Sequence, residues 1–141
     1  MIIDLPNKTE RRQSSRYEID LPVDLVLSNG TMLTVNARNI SNNGVQIACD
    51  AWIADEIEPR GLQSHSINHL RFKIVADLKV DDMTQKFYAN CRIMAVHRVS
   101  QEEYLLSIKF LDFENGTLSV LNKYLEQNMP VNVIHKGIIG E

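Results

Sequence analysis

The chain carries only two cysteines, Cys49 and Cys91, and neither has a second cysteine at metal-ligand spacing. A zinc site built on thiolates is excluded, and both thiols are expected in a reduced core and not in a disulfide. Runs of 18 or more apolar residues are absent, so no helix is expected to span a membrane. The opening stretch, MIIDLPNKTERR, lacks the basic-then-apolar-then-small order of a secretory signal, which points to the cytoplasm. Aromatic residues make up 6% of the chain and the net charge is −3, a poor match for the basic, aromatic-lined surfaces that bind DNA or RNA. Also missing are a nucleophile elbow, a phosphate-cradling glycine loop and a catalytic triad, so the chain is expected not to be an enzyme and to need no cofactor. His65 and His69 are four apart, but no glutamate stands in the HExxH position and a third ligand is missing, so no metal is expected.

What is present is strongly patterned. A length of 141 residues suits one domain. The 44% hydrophobic content suffices for one core, since a chain of this size hides roughly 68–70% of its unfolded surface. The charges are unevenly placed: Lys8, Arg11, Arg12 and Arg16 stand against Glu10, a local excess of three on an acidic protein. A concentrated basic segment suits a specific anionic ligand better than a general polyanion. Residues 1–16 hold few large apolar side chains after Leu5 and include Pro6 and Ser14-Ser15, so a flexible basic N-terminal arm is expected there.

Alternation of period two begins after the arm. Val23, Leu25 and Leu27 share one face, and Ser28-Asn29-Gly30 marks a turn. A second strand is expected over Met32–Ile40, with Leu33, Val35 and Ala37 inward, and a short third over Val45–Ala48 after the break at Ser41–Gly44. Residues 51–57 suit a helical turn ended by Pro59 and Gly61. Strands are then expected over His69–Val80, over Lys86–Val99 with Phe87, Ala89, Cys91, Ile93 and Ala95 on one face, and over Tyr104–Leu111. The period changes at Leu118, Leu121 and Leu125, which space as a helix ending near Met129–Pro130, with Asn115 or Thr117 as its cap. The implied architecture is mainly β: an antiparallel barrel over residues 17–129 with a C-terminal helix against one end. A tail over 130–141 is expected to pack back through Val131, Val133 and Ile134.

Two short motifs carry the chemistry. Arg12 and Arg16 bracket Gln13-Ser14-Ser15, giving RxxxR just before the first strand, and Asn39-Ile40-Ser41-Asn42-Asn43-Gly44 gives NxSxxG. Each is common alone; together, in this order and in a β-rich chain, they resemble the paired signature of the PilZ family, bacterial receptors for cyclic di-GMP. ERRQSSRYEIDLPVDL resembles that family's approach to its first strand, and YLLSIKFLDF followed by an amphipathic helix resembles its close. The likeness runs from about Glu10 to Gln127 and is loose over 50–66. It implies a six- or seven-stranded barrel that binds cyclic di-GMP and signals to a partner protein. It also implies that a basic residue at Arg11 goes with a stacked pair of ligands instead of one. Many members carry glycine where this chain has Ser107, so a hydroxymethyl group is expected close to the site. Ser107 and the unusual 50–66 segment support an alternative, a PilZ-like protein-interaction module with a weakened or unused nucleotide site.

The residue types fit such a ligand on physical grounds. A guanidinium forks onto phosphate oxygens, donates two bonds to guanine O6 and N7, or stacks on a base, and lysine lacks that planar fork. Asn39 can donate to and accept from a base edge, and Ser41 can donate to a base or phosphate. Gly44 is expected to supply a positive-φ turn and close ligand approach. Trp52 is expected to pack in the core by default, with base stacking as a secondary role.

Overall fold

A computed structural model of the chain describes residues 17–62 and 66–128. The expected arm at 1–16 and tail at 130–141 lie outside the described residues. Six strands and two helices occupy the rest: β1 (Tyr17–Leu27), β2 (Met32–Ile40), β3 (Gly44–Asp50), α1 (Ala51–Ile57), β4 (Phe72–Val80), β5 (Met83–Arg98), β6 (Glu103–Phe113) and α2 (Leu118–Asn128). The strands close into a six-stranded barrel in the order β1-β2-β3-β6-β5-β4, every pair antiparallel. This is the mainly-β barrel with a C-terminal helix that the alternation implies.

The inward faces fill the barrel with Leu25, Ile47, Ile74, Leu78, Phe87, Ile93 and Leu106, each 2% exposed or less. Burial at that level contributes about 1.5–3 kcal/mol for each large apolar side chain. Phe87, Phe110 and Phe113 meet with ring centroids 5.5–5.8 Å apart, tilted or edge-on as their quadrupoles prefer. Helix α2 lies against β4 and β5 and buries Leu121, Tyr124 and Leu125. Thr117, just before α2, ties the helix to β5: its Oγ1 accepts from the Tyr88 N–H at 3.1 Å and lies 2.9 Å from the Tyr88 carbonyl. Helix α1 is capped by the Asp50 carboxylate, which accepts from the Ile53 N–H at 2.8 Å. Cys49 and Cys91 are free and buried, and burial pushes both thiols up to about 12, so neither is a thiolate nucleophile at neutral pH.

Two expectations about the strands need correction. The fourth strand starts at Phe72, not His69. Residues before it form a turn in which Leu70 N–H donates to the Ile67 carbonyl at 3.1 Å, and Arg71 Nη1 donates to the Asn68 and Leu70 carbonyls. In β5, Ala95 does not share the inner face with Ile93. The register shifts between them, Met94 is the extra residue, and beyond it Ala95 is exposed while Val96 packs on the core. The barrel is also closed unevenly. β4 pairs with β5 through nine consecutive residues, but β1 pairs with β4 only from Asp24–Leu27 to Phe72–Val75.

Candidate functional site

The start of β1 and the end of β2, which carries NISNNG, meet at one end of the strand pair β1–β2. Tyr17 pairs with Ile40 and Glu18 with Asn39, so the first described residue of β1 lies opposite the NISNNG motif. Arg11, Arg12 and Arg16 lie outside the described residues, and RxxxR ends one residue before Tyr17.

From Asn39 a single level of the barrel can be followed across five strands. Glu18 pairs with Asn39, Asn39 with Gln46, Gln46 with Ser107, and Ser107 with Ala95. Their neighbours Ile40, Val45, Ile47, Leu106 and Ile108 are buried, so this row faces outward. Register shifts flank it on three strands: between Glu18 and Leu21, between Ala37 and Asn39, and between Ile93 and Ala95. The shift in β2 makes Arg38 an extra residue, so Arg38 and Asn39 are both turned away from the core while Ala37 and Ile40 remain buried. Asn39 is fixed by Gln46, whose Oε1 accepts from its Nδ2 at 3.0 Å.

The motif's second half is a closed turn. Ser41 is buried, its Oγ accepts from the Asn43 and Gly44 N–H groups at 3.1 and 3.3 Å, and its N–H donates to the Gly44 carbonyl at 2.9 Å. The Asn43 carbonyl accepts from the Phe110 N–H at 2.9 Å, tying the turn to β6. Gly44 needs to be glycine for a reason other than the expected one. Its φ is not positive; a Cβ there would collide with the Ile108 carbonyl oxygen and stand 3.2 Å from the carbonyl carbon. The absent side chain lets β3 approach β6.

Two grooves adjoin on this wall. One, of about 340 Å³, is lined by Glu18, Ile19, Arg38, Asn39, Gln46, Val99, Glu103 and Leu105. The other, of about 590 Å³, has Asp20, Thr34, Asn36, Asp50 and Ile53 among its lining, and shares Ile19, Arg38 and Glu103 with the first. Arg38 Nη2 donates to Glu103 Oε2 at 3.5 Å, with both side chains about half exposed. Such a pair is worth about 0–1 kcal/mol, so another anion can take the guanidinium cheaply. Glu18 and Glu103 outnumber Arg38 in the smaller groove, so an anionic ligand there needs cations from another segment. Trp52 is on α1 with 62% exposure, so it is not a core residue. His69 is exposed, and its Nε2 is 4.0 Å from the Glu58 Oε1. Among the described residues no three His, Cys, Asp or Glu side chains are grouped to hold a metal, and no helix is long and apolar enough to cross a membrane.

Sequence reasoning passed over Glu18, Arg38 and Gln46. The signal for Gln46 was its position two residues beyond the motif on a strand whose odd-numbered neighbours are apolar. The signal for Arg38 was plain alternation, since it follows the inward Ala37; it is Asn39 whose outward turn depends on the register shift.

The chain is thus a small closed antiparallel β-barrel module with a polar row and two joined grooves on its outer wall. Residues 10–127 match the family model described as PilZ domain, and the chain belongs to that family. No curated protein matches it in sequence. The fold is shared with the inhibitor of motility of Bacillus subtilis at 15% identity and a TM-score of 0.61, covering 83% of this chain and 50% of that one. It is shared with the PilZ domain of YcgR from Escherichia coli, solved with c-di-GMP, at 14% identity and a TM-score of 0.54, covering 93% and 98%. PlzA of Borreliella burgdorferi, solved in complex with c-di-GMP, matches at 11% identity and a TM-score of 0.51, covering 90% and 58%. This chain thus spans half the length of the Bacillus protein.

Proposed function

We propose that this chain is a receptor for cyclic di-GMP that passes its signal to a partner protein. The observation that carries the reading is the pairing of Tyr17 with Ile40, which sets the residue following RxxxR opposite the NxSxxG motif. Facing residues in an antiparallel pair have Cα atoms about 4.5–5.5 Å apart. The YcgR domain and PlzA, both of this fold, are described with c-di-GMP bound.

In this reading Arg12 and Arg16 supply the positive charge that the grooves lack, forking onto phosphate or guanine. Arg11 adds contacts to a second, stacked ligand. Asn39 meets a base edge, while Ser41 and Gly44 hold the turn that presents it. Ser107 stands one strand beyond Gln46 and limits how closely a base approaches. The reaction is binding without chemistry, and the ordering of residues 1–16 over the ligand is the signal the partner reads.

Calorimetric titration of the purified chain with cyclic di-GMP, beside GTP and an Arg16→Ala variant, tests this. Saturable binding of cyclic di-GMP, weakened about a hundredfold in the variant and absent for GTP, is the expected result. A folded chain that does not bind cyclic di-GMP would sink the reading, and one ligand per chain would remove the role given to Arg11.

A further inference from the structure

We propose, resting on the cyclic di-GMP reading, that Gln46 selects guanine over adenine, and that Asn39 gives it that preference. Gln46 sits at the middle of the outward row, between Asn39 and Ser107, and lines the smaller groove half-buried. An unconstrained glutamine suits adenine: its oxygen accepts from the N6 amino group while its NH₂ donates to N7. In this chain the oxygen is already engaged, because Asn39 Nδ2 donates to Gln46 Oε1 at 3.0 Å. The Gln46 NH₂ has no protein partner among the described residues. What the groove is offered is therefore a donor.

A donor group matches an edge made of acceptors. Guanine presents O6 and N7 side by side, whereas adenine carries an amino donor in place of O6. Arg38 lines the same groove and adds further donors, held by the single 3.5 Å contact to Glu103. Gln46 and Arg38 together thus offer donors to both guanine acceptors. Against adenine, the same arrangement sets donor against donor and leaves both without an acceptor, which is costly once water is excluded. The preference resides in the pair: Asn39 occupies the oxygen, and Gln46 does the discriminating.

Titrations of cyclic di-GMP and cyclic di-AMP into the wild type, Gln46→Glu and Gln46→Ala test this. Gln46→Glu keeps an acceptor for Asn39 and removes both donors; Gln46→Ala removes donor and acceptor together. The wild type is expected to prefer cyclic di-GMP, and in both variants the ratio of the two affinities should fall about tenfold or more. A new carboxylate acting only on the phosphates would weaken both dinucleotides alike and leave the ratio unchanged. Thermal melts establish that each variant is folded, and the alanine change carries the test if the glutamate change does not fold. Wild-type binding with the same ratio in both variants would overturn the role of Gln46 and leave the receptor reading standing. No wild-type binding of cyclic di-GMP would overturn both.

Discussion

The two halves of the barrel wall are built to different rules. On one side β4 and β5 pair without interruption from Phe72 and Cys91 to Val80 and Met83. Their tight two-residue turn is made by two left-handed residues, Asp81 at φ 55° and Asp82 at φ 63°, and is fastened to α2. Gln127 Oε1 accepts from the Asp81 N–H at 3.0 Å, and its Nε2 donates to the Asp81 carboxylate at 2.6 Å. On the other side, β1, β2 and the upper part of β5 all slip register at the level of Asn39. The regular half spends its side chains on packing and on ties within the protein. The irregular half turns Arg38, Asn39, Gln46 and Ser107 outward beside the grooves. Shifts in register re-aim side chains without any change in the core, so the contrast separates the residues that hold the barrel from those that face outward beside the grooves.

The largest expected effect tests where the two roles overlap. Gly44→Ala would push a Cβ into the Ile108 carbonyl and pry β3 from β6, costing about 2–3 kcal/mol in urea unfolding and weakening the candidate site at the same time. An unchanged unfolding midpoint would show that the close approach is not needed. In the regular half, Gln127→Ala should cost about 1 kcal/mol in the same assay and leave ligand affinity untouched. A changed affinity would break the proposed separation of the halves. The smallest effect concerns acid stability. The Glu114 carboxyl is held below its usual range first by the hydrogen bond from Lys73 and then by that from Asn90. A lowered native pKa gives stability that is present at neutral pH and lost as pH falls through the glutamate range. Lys73→Met should therefore flatten the acid limb of a stability–pH curve slightly and leave the neutral limb level.

Much of the regular half was legible in the sequence, because Phe72, Ile74, Ala76, Leu78 and Val80 alternate without a break and every one is buried. The irregular half was legible only up to its shifts. Ala95 continues the spacing of Phe87 to Ile93, yet Met94 is an extra residue and reverses the faces beyond it. The composition around Met94 does not announce this, since a bulge is decided by what the opposite strand pairs with. The site was read in a similar way. NISNNG identified the turn, but its glycine was assigned to φ when the cause is a carbonyl in another strand, more than sixty residues on. Gln46 went unnoticed because its partners, Asn39 and Ser107, meet it only through pairing. Trp52 was misjudged because its helix is too short to bury more than one side, and it stands on the other.

The row on the outer wall has a consequence in time as well as in space. Gln46 and Ser107 belong to opposite halves of the chain and meet only when β3 has paired with β6. Pairings that distant in sequence form late, after the loop between them has been closed. A chain still emerging from the ribosome has NISNNG early but no complete row until β6 has been made and docked. The two motifs that first draw the eye are therefore translated long before the surface they belong to exists.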